Sequence, residues 1–120
     1  MKMLLATIVL LAAPLGAAAA GSYACNMNAL TRSERATHAR LSRQLLGRVE
    51  EQKELKNGYA FRFPAKSIVD AARWVTLERK CCPFFAFSLE LAQDDGPLWM
   101  HVTGAEDIKP FIRAEFGLED

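Results

Sequence analysis

The chain has no surplus of charge of one sign. Fifteen Lys and Arg face fourteen Asp and Glu, a net charge of +1 over 120 residues. That balance removes the electrostatic footprint of a nucleic-acid binder, so no nucleic-acid partner is expected. The sequence also lacks a Walker A loop, a G-x-G-x-x-G turn, an H-E-x-x-H helix and a G-x-S-x-G elbow. Those absences leave out the common phosphate-binding, metalloprotease and serine-hydrolase signatures. Low-complexity runs and long linkers are missing too. Histidine is limited to two residues and cysteine to three. What is present is apolar: 51% hydrophobic against 24% charged residues, a composition that excludes general disorder.

The first residues read as an address label. Met1-Lys2 is a short positive start, Met3 to Leu15 is apolar and interrupted by Pro14, and Ala17 to Ala20 offer A-x-A cleavage choices. This layout predicts a secretory signal peptide over residues 1–20, ending at Ala19 or Ala20. Residues 21–120 then form a single domain, about 100 residues with one modest core. The stretch from Met3 to Ala20, about 18 residues, is at the lower limit for crossing a bilayer. Membrane contact is therefore expected only through an uncleaved signal. Cys25 does not fit a lipoprotein start, because Ser22-Tyr23-Ala24 before it lacks the usual leucine. The expected location is periplasmic or secreted, where disulfides are allowed.

Periodicity gives the elements. Thr31 and Glu34 make a T-x-x-E capping box, so a helix is predicted from Arg32 to Arg48. Leu41, Leu45 and Val49 form its apolar stripe, with Ala39 and Leu46 beside it. Its polar face carries Arg32, Arg35, Arg40, Arg43 and Arg48, a run that is solvated, meets an anionic partner, or complements the acidic C-terminal part. Val49 to Leu55 is a polar strand near an edge. Asn57-Gly58 signals a type I′ hairpin, which needs positive φ at both central positions. Tyr59, Phe61 and Phe63 alternate with Ala60 and Arg62, which buries one face of the next strand. A second helix is predicted from Ser67 to Cys82, with Ile68, Ala71, Ala72 and Val75 inward and Pro83 as its stop. A second hairpin turns at Gln93-Asp94-Asp95-Gly96. The last helix is predicted with Asp107 as N-cap, Pro110 at N3 and Gly117 as its stop. The order α-ββ-α-ββ-α predicts an α+β two-layer sandwich, a four-stranded antiparallel sheet with helices on one face. Whether the two hairpins join in sequence order is not legible from these patterns.

The chemistry-bearing feature is a cysteine trio: Cys25 near the mature start and the adjacent pair Cys81-Cys82. Three is odd for an exported domain, so one pair bridges and one thiol stays free, or all three act together. Three readings stay open. A disulfide from Cys25 to one of the pair closes a loop of about 56 residues and stabilises by roughly 4 kcal/mol in the chain-entropy model. Three thiolates make a site for a thiophilic metal or metalloid ion such as Hg(II), As(III), Cu(I) or Zn(II). Buried thiols packing as small apolar side chains are the third. Met27 and His38 are near enough in sequence to contribute, whereas Met100 and His101 alternate on one strand and cannot both face one site. A nucleophilic role is disfavoured, because the pair ends a helix, where the dipole opposes a thiolate. Arg79 and Lys80 supply the opposing positive charge. Glu78 is a candidate outer partner of a metal or part of an ordinary helix face. Trp74 and Trp99 are core residues at the layer edges or an exposed patch.

Two segments carry a resemblance. Cys25-Asn26-Met27-Asn28-Ala29-Leu30 and Glu78-Arg79-Lys80-Cys81-Cys82-Pro83-Phe84, with Gly58-Tyr59-Ala60-Phe61 between them, are similar to small uncharacterised bacterial proteins. Those share a C-x-x-x-A-L start, a G-Y-x-F hairpin and an E-R-x-C-C-P-F centre. Gly104 and Lys109-Pro110-Phe111 resemble their C-terminal element, so the likeness runs from Cys25 to Leu118. It implies that the trio belongs to a shared pattern and brings no activity with it. The resulting expectation is an exported, non-enzymatic protein that binds a soft metal or metalloid through Cys25, Cys81 and Cys82. The alternatives are a disulfide-stapled structural or partner-binding domain and a thiol redox protein.

Overall fold

The computed structural model describes residues 23–118. The expected signal peptide over residues 1–20 lies outside the described residues. A 3-10 turn at Met27–Ala29 leads into α1, Arg32–Leu46. Thr31 Oγ1 accepts from the Glu34 backbone N–H, and the Glu34 carboxylate accepts from the Thr31 N–H, so the capping box closes as its sequence predicts. Leu41 and Leu45 are buried, but Ala39 and Leu46 are exposed, so the buried stripe is narrower than expected. The helix stops at Leu46, two residues early.

Strands β1 (Glu51–Leu55) and β2 (Gly58–Phe63) form the first hairpin, α2 spans Ile68–Cys81, and β3 (Ala86–Leu91) and β4 (Leu98–Thr103) form the second. Helix α3 covers Lys109–Phe116. The observed order is therefore α-ββ-α-ββ-α in an α+β fold. The sheet order is β1-β2-β4-β3, all antiparallel. The hairpins thus join through β2 and β4, while α2 carries the chain from a central strand to the far edge. Tyr59, Phe61 and Phe63 pair with Val102, Met100 and Leu98 on the buried face. Ile108, Phe111 and Ile112 of the α3 region and Ala71, Trp74 and Leu77 of α2 pack in the same core.

Three local expectations need correction. Leu55 pairs with Gly58, so the first turn is Lys56-Asn57, not Asn57-Gly58. Gly58 serves a different purpose: a Cβ there would lie 2.0 Å from the Val102 carbonyl oxygen on β4. The positive-φ pair of a type I′ turn occurs instead at Asp94 and Asp95, both at 57°. The last helix is capped by Ile108 with Pro110 inside its first two positions, and Gly117 ends it at φ 63°. Asp107 lies one residue before that cap, and its carboxylate accepts a hydrogen bond from the Tyr23 hydroxyl.

Candidate functional site

Helix α2 builds the site at its C-terminal end. Trp74, Glu78 and Cys81 succeed one another at spacings of four and three, so they share the buried face. Pro83 stops the helix, and Cys82 leaves helical geometry at φ −128°, ψ 68°. The last carbonyls of a helix lack intrahelical partners. The N-terminal arm supplies one: Asn26 N–H donates to the Cys81 carbonyl at 2.8 Å. That contact lays Cys25 beside Cys82, and the two form a disulfide with Cα atoms 4.6 Å apart. Cys81 keeps a free, buried thiol. Its sulfur is 3.5 Å from that of Cys82. Cys81 therefore lies beside the bridge, next to its Cys82 sulfur.

The sulfur cluster continues into a polar group. Glu78 is only 3% exposed, and its Oε2 is 4.0 Å from Cys81 Sγ and 2.5 Å from His38 Nε2. His38 comes from α1, forty residues earlier in the chain. It is held by its surroundings: its ring stacks on Trp74, whose Nε1 donates to Ser42 Oγ at 2.9 Å. Ser42 in turn donates to the His38 carbonyl at 2.7 Å. One donor atom each from Cys25, Glu78 and Cys82 lies within 4.8 Å of the others, and the same holds for His38, Glu78 and Cys81. Glu78 belongs to both groups.

Burial, followed by the nearby Glu78 carboxylate, pushes the Cys81 thiol up to about 11. At neutral pH it is a thiol, not a thiolate, so it lacks the lowered pKa of a catalytic cysteine. Lys80 does not lower it, because its ammonium pairs with Glu34 at 2.5 Å, and Arg79 is exposed. A cavity of about 80 Å3 adjoins the cluster, its wall including His38, Ser42, Trp74, Glu78 and Glu115 among apolar side chains. That volume holds several water molecules or a small ligand. Desolvation and then the charge of Glu78 raise the Glu115 carboxyl above its ordinary range, and His38 opposes the shift.

The remaining candidates fall elsewhere. Met27 is exposed, His101 lies on the sheet face opposite buried Met100, and Trp99 lies under Lys53 on that outer face. Trp74 is core. Arg48 of the basic helix run meets Asp70 of α2, not the C-terminal acids. The pairing of His38 with Glu78 and the nearness of Glu115 had no signal in the sequence, since both depend on how α1 and α3 dock. Comparison with protein-family models, curated proteins and solved structures finds no match for the chain.

Proposed function

We propose that the protein is a non-enzymatic binder of a thiophilic metal or metalloid ion, using Cys25, Cys81 and Cys82 once an external dithiol has reduced the Cys25–Cys82 bond by thiol–disulfide exchange, itself becoming a disulfide. The observation that carries this reading is the third cysteine. A staple needs two sulfurs; here a third is packed 3.5 Å from the bridge. Two sulfurs on one ion, each about 2.3 Å from it, stand up to roughly 4 Å apart. The Cys81–Cys82 spacing already fits that limit. Thiolate coordination by three sulfurs suits As(III), Hg(II) or Cu(I) over harder ions. The ion's charge offsets the cost of ionising buried thiols. Export to the periplasm or the exterior accords with the bridge, and the bridged form is then the resting state.

The test is titration of reduced, desalted protein with arsenite or Hg(II), read by intact mass and calorimetry. One ion per chain is expected, with affinity for arsenite falling by at least about tenfold in Cys81→Ser, as loss of a metal-site group ordinarily does. Binding by a triple serine variant unchanged from wild type overturns the reading. The bridge itself supports the second reading, a disulfide-stapled structural or partner-binding domain. That reading predicts no ion affinity above background in the reduced protein.

A further inference from the structure

In the bridged form Cys25 and Cys82 are unavailable to an ion, yet a complete donor set remains. His38 Nε2, Glu78 Oε2 and Cys81 Sγ all lie within 4.8 Å of one another. We propose that the disulfide-bridged protein holds a borderline divalent cation of the zinc class on these three atoms, with its fourth position toward the adjoining cavity. The inference stands apart from the trio reading, because it concerns the oxidised state and uses a different set of ligands.

Donor type is the first support. The donors are of three kinds, nitrogen, oxygen and sulfur. That mixture suits zinc, cobalt or nickel; hard ions favour all-oxygen sets and soft ions favour sulfur. Charge also balances, since a thiolate, a carboxylate and a neutral imidazole together cancel a divalent cation. A neutral ensemble is what a buried site requires, and Glu78 and Cys81 are almost wholly buried. Two of the three ligand pairs need little change. Two light-atom ligands on one tetrahedral zinc are about 3.3 Å apart. The 2.5 Å His38–Glu78 hydrogen bond therefore opens by less than about 1 Å as the ion replaces its shared proton, and the 4.0 Å Glu78–Cys81 distance closes slightly.

The ligands are also braced from outside. Trp74 stacks on the imidazole, and Ser42 ties together Trp74 and the α1 backbone. Such packing fixes a histidine's ring before metal arrives. On the open side, His38 and Glu78 both reach the cavity wall, where Glu115 also lies. Three protein ligands with an accessible fourth position is the arrangement of zinc sites that accept water or an exogenous ligand. Binding is ligand exchange with no electron transfer: the Cys81 proton leaves for solvent, and the ion takes the place of the His38–Glu78 hydrogen bond while the imidazole stays neutral with its proton on Nδ1.

The test uses full-length protein purified without reductant, its bridge verified by intact mass, and titrated with Co(II). One cobalt per chain is expected, with tetrahedral absorption bands and a thiolate-to-cobalt charge-transfer band, all displaced by zinc. Cys81→Ser should abolish the charge-transfer band, and His38→Gln should weaken binding at least about tenfold. Far-UV circular dichroism and the intact bridge verify that each variant is folded, with Glu78→Gln as a further ligand variant. Absence of binding by the bridged protein, or unchanged spectra in both Cys81→Ser and His38→Gln, overturns the proposal. Cobalt binding only after reduction also overturns it while leaving the trio reading intact. Arsenite binding equal in wild type and the triple serine variant, with cobalt still bound by the bridged protein, supports this proposal while the trio reading fails.

Discussion

Gly58 is held by space, because any Cβ meets the β4 backbone at the seam that joins the two hairpins. Gly58→Ala should cost about 2–4 kcal/mol, read as a lowered urea midpoint, since it forces the central β2–β4 pair apart. Cys81 sets a pH limit. Its unfolded thiol ionises near 9.0 and its folded thiol near 11, raised first by burial and then by Glu78. Between those values the folded state binds the extra proton, so stability is full below pH 9 and falls as pH rises past it. In bridged protein, Cys81→Ala should remove that alkaline decline in thermal midpoint, and an unchanged decline would contradict the assignment. Ser67 is the counter-case: its buried hydroxyl has no hydrogen-bond partner among the described residues, because Ser67 is the last residue of a 3-10 turn, Ala65–Ser67, and keeps helical rather than capping geometry.

At the scale of elements, capping and termination do most of the placing. The Thr31–Glu34 box starts α1, and Lys80 ties Glu34 to α2, so one carboxylate serves both the cap and the helix pair. Thr31→Ala should lower stability by about 1 kcal/mol in chemical unfolding, the usual loss for an N-cap. Lys80 and the Thr31 N–H hold the Glu34 carboxyl below its ordinary 4.5. Its contribution is therefore present above that value and fades as pH falls through the lower, folded one. Glu34→Gln should accordingly reduce the thermal midpoint at neutral pH and converge with the wild-type curve in acid. Pro83 ends α2 where its last turn presents Glu78 and Cys81 to the core, so the stop signal also locates the cluster.

For the whole molecule, the bridge is the decisive long-range tie. It joins residues 57 apart in sequence and fastens the N-terminal arm to the end of α2. Cys25→Ser should destabilise the oxidised protein by roughly 4 kcal/mol in the chain-entropy model, measured against wild type without reductant. The sheet order is equally a property of the whole: β2 and β4 take the centre because their alternating apolar faces are the most complete, while polar β1 and half-exposed β3 occupy the edges.

Local pattern was enough for the element order and the inward face of β2, because periods of two and 3.6 and strong caps are properties of neighbouring residues. Tyr59, Phe61 and Phe63 read as one buried face, and the Thr31 box read as a helix start, for that reason. In α2 pattern misplaced Ala72, which is exposed, while the buried face is Ala71, Trp74, Leu77, Glu78 and Cys81. Pattern also marked the three cysteines, though not which two would join. Packing in three dimensions settled the β2–β4 seam, the choice of Cys82 over Cys81 for the bridge, and the meeting of His38 with Glu78. Each brings together residues distant in the chain, where docking of elements and competition for the core, not local pattern, fix the distances. The turn at Lys56-Asn57 belongs with them: a close approach to β4 placed Gly58 inside its strand and moved the turn one residue back.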